Sequence, residues 1–169
     1  APPPWWPGGD AVRGWLSYAP ALNRAYPGTS NPGPWNGKQR PGDNKWSAAI
    51  IARDADTGEM IWAFQPTPHD VWDYDAVNEN ILADLPIGGT TRKALVHFDR
   101  NGFAYTMDRA TGEVRLAQPY VPMNWSTGVD LATGRPPLHP QKVPFPVKKL
   151  PFLCPRLGGA PRPPHATLP

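Results

Sequence analysis

Three pentapeptides of the form Asp-x-x-Thr-Gly, at residues 54–58, 108–112 and 130–134, constrain the fold of this chain more than any other feature. In such a unit the Asp and Thr side chains can bond the backbone of a tight turn, and the Gly takes the positive φ the turn demands. One copy is what chance supplies; three predict a repeated strand–turn–strand unit. The flanking segments fit. Residues 47–52 and 60–65 read as two arms around the first turn. Residues 95–98 and 103–107 read as a hairpin around Asp99-Arg100-Asn101-Gly102, where Asn-Gly is a strong turn signal. Shorter strands are predicted at 15–18, 22–26, 80–84 and 113–117. No stretch sustains an apolar period of 3.6 residues, and 25 prolines in 169 residues block helix interiors. The chain therefore reads as all-β. Repeated hairpins that cannot bury a face alone predict a β-propeller.

Charge divides the chain. From Arg135 to Pro169 there are six Lys/Arg, no acid and eleven prolines, whereas residues 1–134 carry 11 basic and 14 acidic side chains. The tail, 135–169, is expected to be irregular, as is the Pro/Gly-rich opening at 1–13, which leaves 14–134 for the blades. Basic residues scattered among prolines do not make the aromatic-interleaved patch of a nucleic-acid binder. No apolar run reaches the length of a membrane span. Cys154 is the single cysteine, so no disulfide forms within the chain. An opening of Ala-Pro-Pro-Pro-Trp-Trp, with no initiator Met, predicts an internal piece of a longer protein.

The chemistry concentrates in His69-Asp70-Val71-Trp72-Asp73-Tyr74-Asp75. Asp73 and Asp75 are two apart, a spacing that puts both carboxylates on one side of an extended backbone. Like charges so placed raise each other's pKa unless a cation lies between them, and a hard metal ion takes oxygen ligands. A solvated acidic turn is the plainer reading of a bare Asp-x-Asp. The long loop at 28–42 holds Asn31 and Trp35, and ordered loops of that length are often functional.

Around the first turn the pattern extends to Ala52-x-Asp54-x-x-Thr57-Gly58-x-x-x-Trp62, which is similar to the tryptophan-docking motif of quinoprotein propellers; the second copy has Leu116 at the Trp place. With GTSNPGPWN, RPGDNKW, TPHDVWDYD, HFDRNGFAYTMDRATGE and NW-x-TGVD, residues 14–134 resemble the large subunit of pyrroloquinoline quinone (PQQ)-dependent methanol dehydrogenases. The resemblance implies about two to three blades of an eight-bladed propeller. It implies that Asn31, Asp73 and Asp75 ligate a metal, that Asp73 is the catalytic base, that Arg100 hydrogen-bonds the quinone carbonyl and that Trp35 walls the substrate cavity. The calcium-dependent branch has a small residue at the place of Asp75 and the lanthanide-dependent branch an Asp. A trivalent ion can repay the desolvation of an added carboxylate, so a lanthanide is expected, with Ca2+ the alternative. Also implied are a small primary alcohol as substrate, a cytochrome c acceptor, a periplasmic setting and a homodimer of the full-length protein. Arg13 and Ala11 depart from the family, which has a stacking tryptophan and a cofactor-binding threonine there. Leu153-Cys154-Pro155 matches another family motif. A non-catalytic propeller scaffold and an inactive fragment remain open as alternatives.

Overall fold

The structure, a computed structural model, describes residues 9, 11–123 and 125–137. It contains two four-stranded antiparallel meanders. The first is β1 (Val12–Ala19), β2 (Arg24–Thr29), β3 (Ile50–Asp54) and β4 (Met60–Phe64); the second is β5 (Asn80–Ile87), β6 (Thr90–Phe98), β7 (Phe103–Asp108) and β8 (Val114–Pro119). In both, strand order in space follows strand order in sequence. Each sheet is one propeller blade, and the chain is all-β as expected. The third Asp-x-x-Thr-Gly turn closes with a single antiparallel bridge, Asp130 to Arg135, and no third sheet forms among the described residues. Most of the basic tail, with Cys154, and most of the 1–13 segment lie outside the described residues.

Most strand boundaries move, β1 beginning at Val12, inside the segment expected to be irregular, and β6 at Thr90; three of the changes have local reasons. The second strand was expected over 22–26, but Leu22 ends a single 3-10 turn whose cap, Asn23, is left-handed at φ 50°, so β2 begins at Arg24. The third was expected from Ser47. Instead Ser47 donates its N–H to the Asn44 carbonyl and Ala48 sits at φ 42°, so a buried turn precedes Ile50. The fifth runs on to Ile87, because Gly88 and Gly89 both take positive φ and close a hairpin with β6. The sequence signal for that hairpin is weak, since 85–94 alternates poorly.

The first blade leans on the second blade's turn. Trp62 Nε1 donates to the Arg109 carbonyl at 3.3 Å, Tyr26 Oη donates to the same carbonyl at 2.8 Å, and Arg24 donates to the Ala110 carbonyl. The Trp62 ring lies on Gly112, where a Cβ would meet it at 2.7 Å. Only a glycine of the repeated turn lets an indole seat there. This is the docking that the motif around Trp62 predicts. Between the blades lies a core of Tyr26, Ile50, Phe64, Tyr74, Leu95, Tyr105, Met107 and Trp125. Each such side chain contributes roughly 1.5–3 kcal/mol by leaving water. In the first blade, β1 stays exposed at Val12, Trp15 and Leu16.

One close approach positions the acidic stretch. Gly28 in β2 sits so near the segment after Asp75 that a Cβ would fall 2.0 Å from the Ala76 carbonyl oxygen. Ala76 in turn donates its N–H to the Thr29 carbonyl at 3.0 Å. The first blade thereby holds the exit of the acidic loop against its innermost strands.

Candidate functional site

The acidic stretch is a loop rather than an extended strand. His69, Asp73 and Asp75 have φ of 53°, 65° and 56°, so the simple argument from extended backbone fails in its premise. Its consequence survives. Trp72 and Tyr74 stack on each other at 5.5 Å and pack on Trp125, while Asp73 and Asp75 both turn toward Arg100. The Arg100 guanidinium lies 3.6 Å from Asp73 Oδ2 and pairs directly with Asp75 Oδ2.

Asn31 arrives from the 28–42 loop. Its backbone N–H donates to Asp75 Oδ1 at 2.6 Å, while its side-chain Nδ2 donates to the Pro32 carbonyl at 3.3 Å, so the contact with the acids is made by backbone and not by the side-chain amide expected as a ligand. Burial raises the Asp75 carboxyl above its ordinary range, while the Asn31 N–H and the Arg100 charge pull it back. Trp35, on the same loop, is 53% exposed.

Arg100 owes its direction to a buried turn, not to solvent. His97 Nε2 and Asp99 Oδ2 are 3.2 Å apart, both fully enclosed. Burial raises the Asp99 carboxyl, with the contact to His97 opposing it. The Asn101 N–H donates to Asp99 Oδ1, and the Asn101 amide reaches Tyr105 Oη at 2.9 Å and Thr67 Oγ1 at 3.2 Å. Trp125 Nε1 closes the turn on the Asn101 carbonyl at 2.6 Å. A turn so stapled presents Arg100 from a rigid base.

Two functional side chains escaped sequence reasoning. Asp70, 1% exposed, turns its carboxylate back on its own loop: Oδ1 accepts the Trp72 N–H at 2.8 Å, and Oδ2 accepts those of Tyr74 at 2.9 Å and Asp75 at 3.2 Å. Burial outweighs those three bonds, and its pKa is pushed up to about 7. Arg40, 5% exposed, donates from Nε to the Pro34 carbonyl at 2.8 Å and from Nη2 to the Asp70 carbonyl at 2.5 Å. A carboxyl two residues before an N–H is the only sequence sign of the first. The second has none, because its partner lies 30 positions away.

The donor set fits a hard cation in kind. It is all oxygen, and the two converging carboxylates already require a positive charge, which the Arg100 guanidinium supplies. In number it falls short: among the described residues no three His, Cys, Asp or Glu side chains gather closely enough to enclose an ion, and hard cations take about six to eight oxygens.

Two four-stranded meanders locked by a tryptophan on a repeated turn define a β-propeller of the quinoprotein type. The chain belongs to the family of the PQQ glucose/ethanol/alcohol dehydrogenase β-propeller domain, which matches residues 4–145. It is 56% identical over 131 residues to a lanthanide-dependent methanol dehydrogenase of Methylorubrum extorquens, a match covering 77% of this chain and 22% of that protein. Against the methanol dehydrogenase [cytochrome c] subunit 1 of the same organism it is 47% identical over 139 residues, 81% of this chain and 22% of that one. The solved structure of a europium-containing methanol dehydrogenase superposes with a TM-score of 0.81 at 52% identity, over 84% of this chain and 25% of that chain. The chain thus spans about a fifth of the length of the curated relatives it matches. Among the described residues no helix is long and apolar enough to cross a membrane.

Proposed function

We propose that these residues form the metal-binding and base-bearing part of a PQQ-dependent dehydrogenase that oxidises methanol or another small primary alcohol to its aldehyde. The observation that carries this reading is the convergence of Asp73 and Asp75 on Arg100, with the backbone N–H of Asn31 on Asp75. Asn31, Asp73 and Asp75 would hold the metal through oxygen. Bound here, PQQ supplies the hydride acceptor and the metal a Lewis acid at its reactive carbonyl. Asp73 would accept the alcohol proton on a carboxylate oxygen as general base. Arg100, held by its stapled turn, would offer its guanidinium to the cofactor as a hydrogen-bond donor. Trp35, exposed on the loop that carries Asn31, offers an apolar wall to the alcohol.

A lanthanide is favoured over Ca2+ because Asp75 adds a second carboxylate, and a trivalent ion gains more from it. The match to a lanthanide-dependent relative supports that choice. The blades at 14–134 are read as part of a longer propeller, since the exposed apolar side chains of Val12, Trp15 and Leu16 on β1 suit a neighbouring element. A cytochrome c acceptor, a periplasmic setting and a homodimer of the whole protein complete the proposal.

The test is Asp75→Ala in a full-length propeller carrying this chain, with dye-linked methanol oxidation and metal content measured after growth on lanthanum or on calcium. Lanthanum-supported turnover should vanish. Turnover and lanthanum content equal to the parent's would end the reading.

A further inference from the structure

The metal proposal leaves unexplained why Asp73 and Asp75 face one point from a loop with three left-handed residues. Neither acid makes that conformation for itself. The backbone N–H groups of Trp72, Tyr74 and Asp75 all turn inward, and all three end on the one carboxylate of Asp70. Asp73 is therefore strung between two pinned neighbours, and Asp75 is pinned at its own nitrogen. Buried N–H groups need partners, and those of Tyr74 and Asp75 bond Asp70 in buried positions. The loop could satisfy them otherwise only by rewinding, which would swing both acids away from Arg100.

Asp70 is itself anchored. The Arg40 guanidinium holds the Asp70 carbonyl with one arm and the Pro34 carbonyl with another, and its third nitrogen donates to Asn44 Oδ1 at 2.5 Å. Asn44 returns a bond from Nδ2 to the Arg40 carbonyl at 2.8 Å. The segment 40–44 is further laced to the head of the acidic loop, with the His69 N–H on the Asp43 carbonyl at 3.0 Å and His69 Nδ1 2.7 Å from the Gly42 carbonyl. A planar fork with several fixed donors suits such bridging, where an ammonium could not reach all three oxygens at once.

We propose that Arg40 and Asp70 are a positioning pair: through backbone alone they fix where the carboxylates of Asp73 and Asp75 stand relative to each other and to the Trp35 loop. The inference rests on the metal-site reading above and names what sets that site's geometry. Neither residue touches metal, cofactor or substrate. Groups that orient metal ligands from behind typically control affinity by about 10- to 100-fold.

Asp70→Asn is the direct test, because an amide of the same shape can accept on one side only and must turn an NH2 toward the other N–H groups. In the full-length propeller, stripped of metal, Eu3+ is titrated and followed by its luminescence. Affinity should fall about 10- to 100-fold, and the emission lifetime should shorten as water replaces a displaced carboxylate oxygen. A purely structural role would lower the melting temperature and leave lifetime and affinity of the folded protein unchanged, which overturns the proposal. Should Asp70→Asn not fold, Arg40→Lys is read the same way: weaker Eu3+ binding with a shortened lifetime supports the pair, and parent-like values overturn it. Asp75→Ala runs beside both. If it too binds Eu3+ as the parent does, the metal site itself is wrong; if it alone loses Eu3+, only the positioning pair is wrong.

Discussion

Asp54 and Asp70 do the same thing with opposite results. Asp54 Oδ1 accepts the N–H groups of Asp56 and Thr57 and the Thr57 hydroxyl, and those bonds hold its carboxyl below the ordinary range. Asp70 accepts three N–H groups and sits near pH 7 instead, at about 7. The bonds favour the ionised form in both places. What differs is water: the first carboxylate is exposed, and the second has lost its hydration. Desolvation wins over three hydrogen bonds. An exposed staple can be repeated along the chain, as at Asp108 and Asp130. A buried one is costly and occurs where a loop must hold a shape it would not otherwise keep.

Removing the carboxylates breaks the comparison most sharply. Asp70→Ala leaves three buried N–H groups without an acceptor, at about 1–3 kcal/mol each, so a loss of roughly 3 kcal/mol or more is expected in denaturant unfolding of the metal-free propeller. Asp54→Ala should move the midpoint far less, because water replaces the lost oxygen. Equal midpoints for the two would refute the role given to burial.

A second contrast lies in the repeated turns themselves. Gly58 and Gly112 have φ of 75° and 78°, so an Ala at either meets the same backbone strain, roughly 1–2 kcal/mol. At Gly112 the methyl must also displace the Trp62 ring, while at Gly58 nothing among the described residues stands in its way. Overpacking of that kind costs about 1–3 kcal/mol more. Gly112→Ala should therefore destabilise the 169-residue chain more than Gly58→Ala, with a change in tryptophan emission only for the former. Matching emission spectra would dismiss the docking contact.

The smallest effects come from pH, and they carry opposite signs. Folded Asp70 keeps its proton up to about pH 7 while the unfolded carboxyl loses it near its ordinary value of 3.8, so the folded state binds more protons between them. Metal-free stability should fall as pH rises across that window and level off above it, with Asp75 and Asp99 adding the same sign. Asp54 and Asp130 are depressed, so their contribution is present above the unfolded carboxylate pKa and is lost as pH falls through the folded one. Asp70→Asn should flatten the slope between pH 4 and 7 and leave the acid limb in place. A slope between pH 4 and 7 that is unchanged in Asp70→Asn would show that Asp70 does not titrate there.

Much of the molecule follows from the order of residues alone. The three turns, the all-β class, the hairpin at 99–102 and the seat for Trp62 are set by side chains that act within a few positions of themselves, where spacing is a sufficient guide. Asp73 and Asp75 stood out by their charge, but a spacing of two does not set direction in a loop that is not extended; the contacts to Asp70 hold that loop's shape. Tertiary structure alone decided the rest. It made Ser47–Ala49 a buried turn rather than the start of β3, let Gly28 meet the Ala76 carbonyl, and joined Arg40 to Asp70 across 30 positions. The reason is common to all three. Burial and close approach depend on which distant backbone arrives at a given point, and the local pattern around a residue carries no record of that arrival.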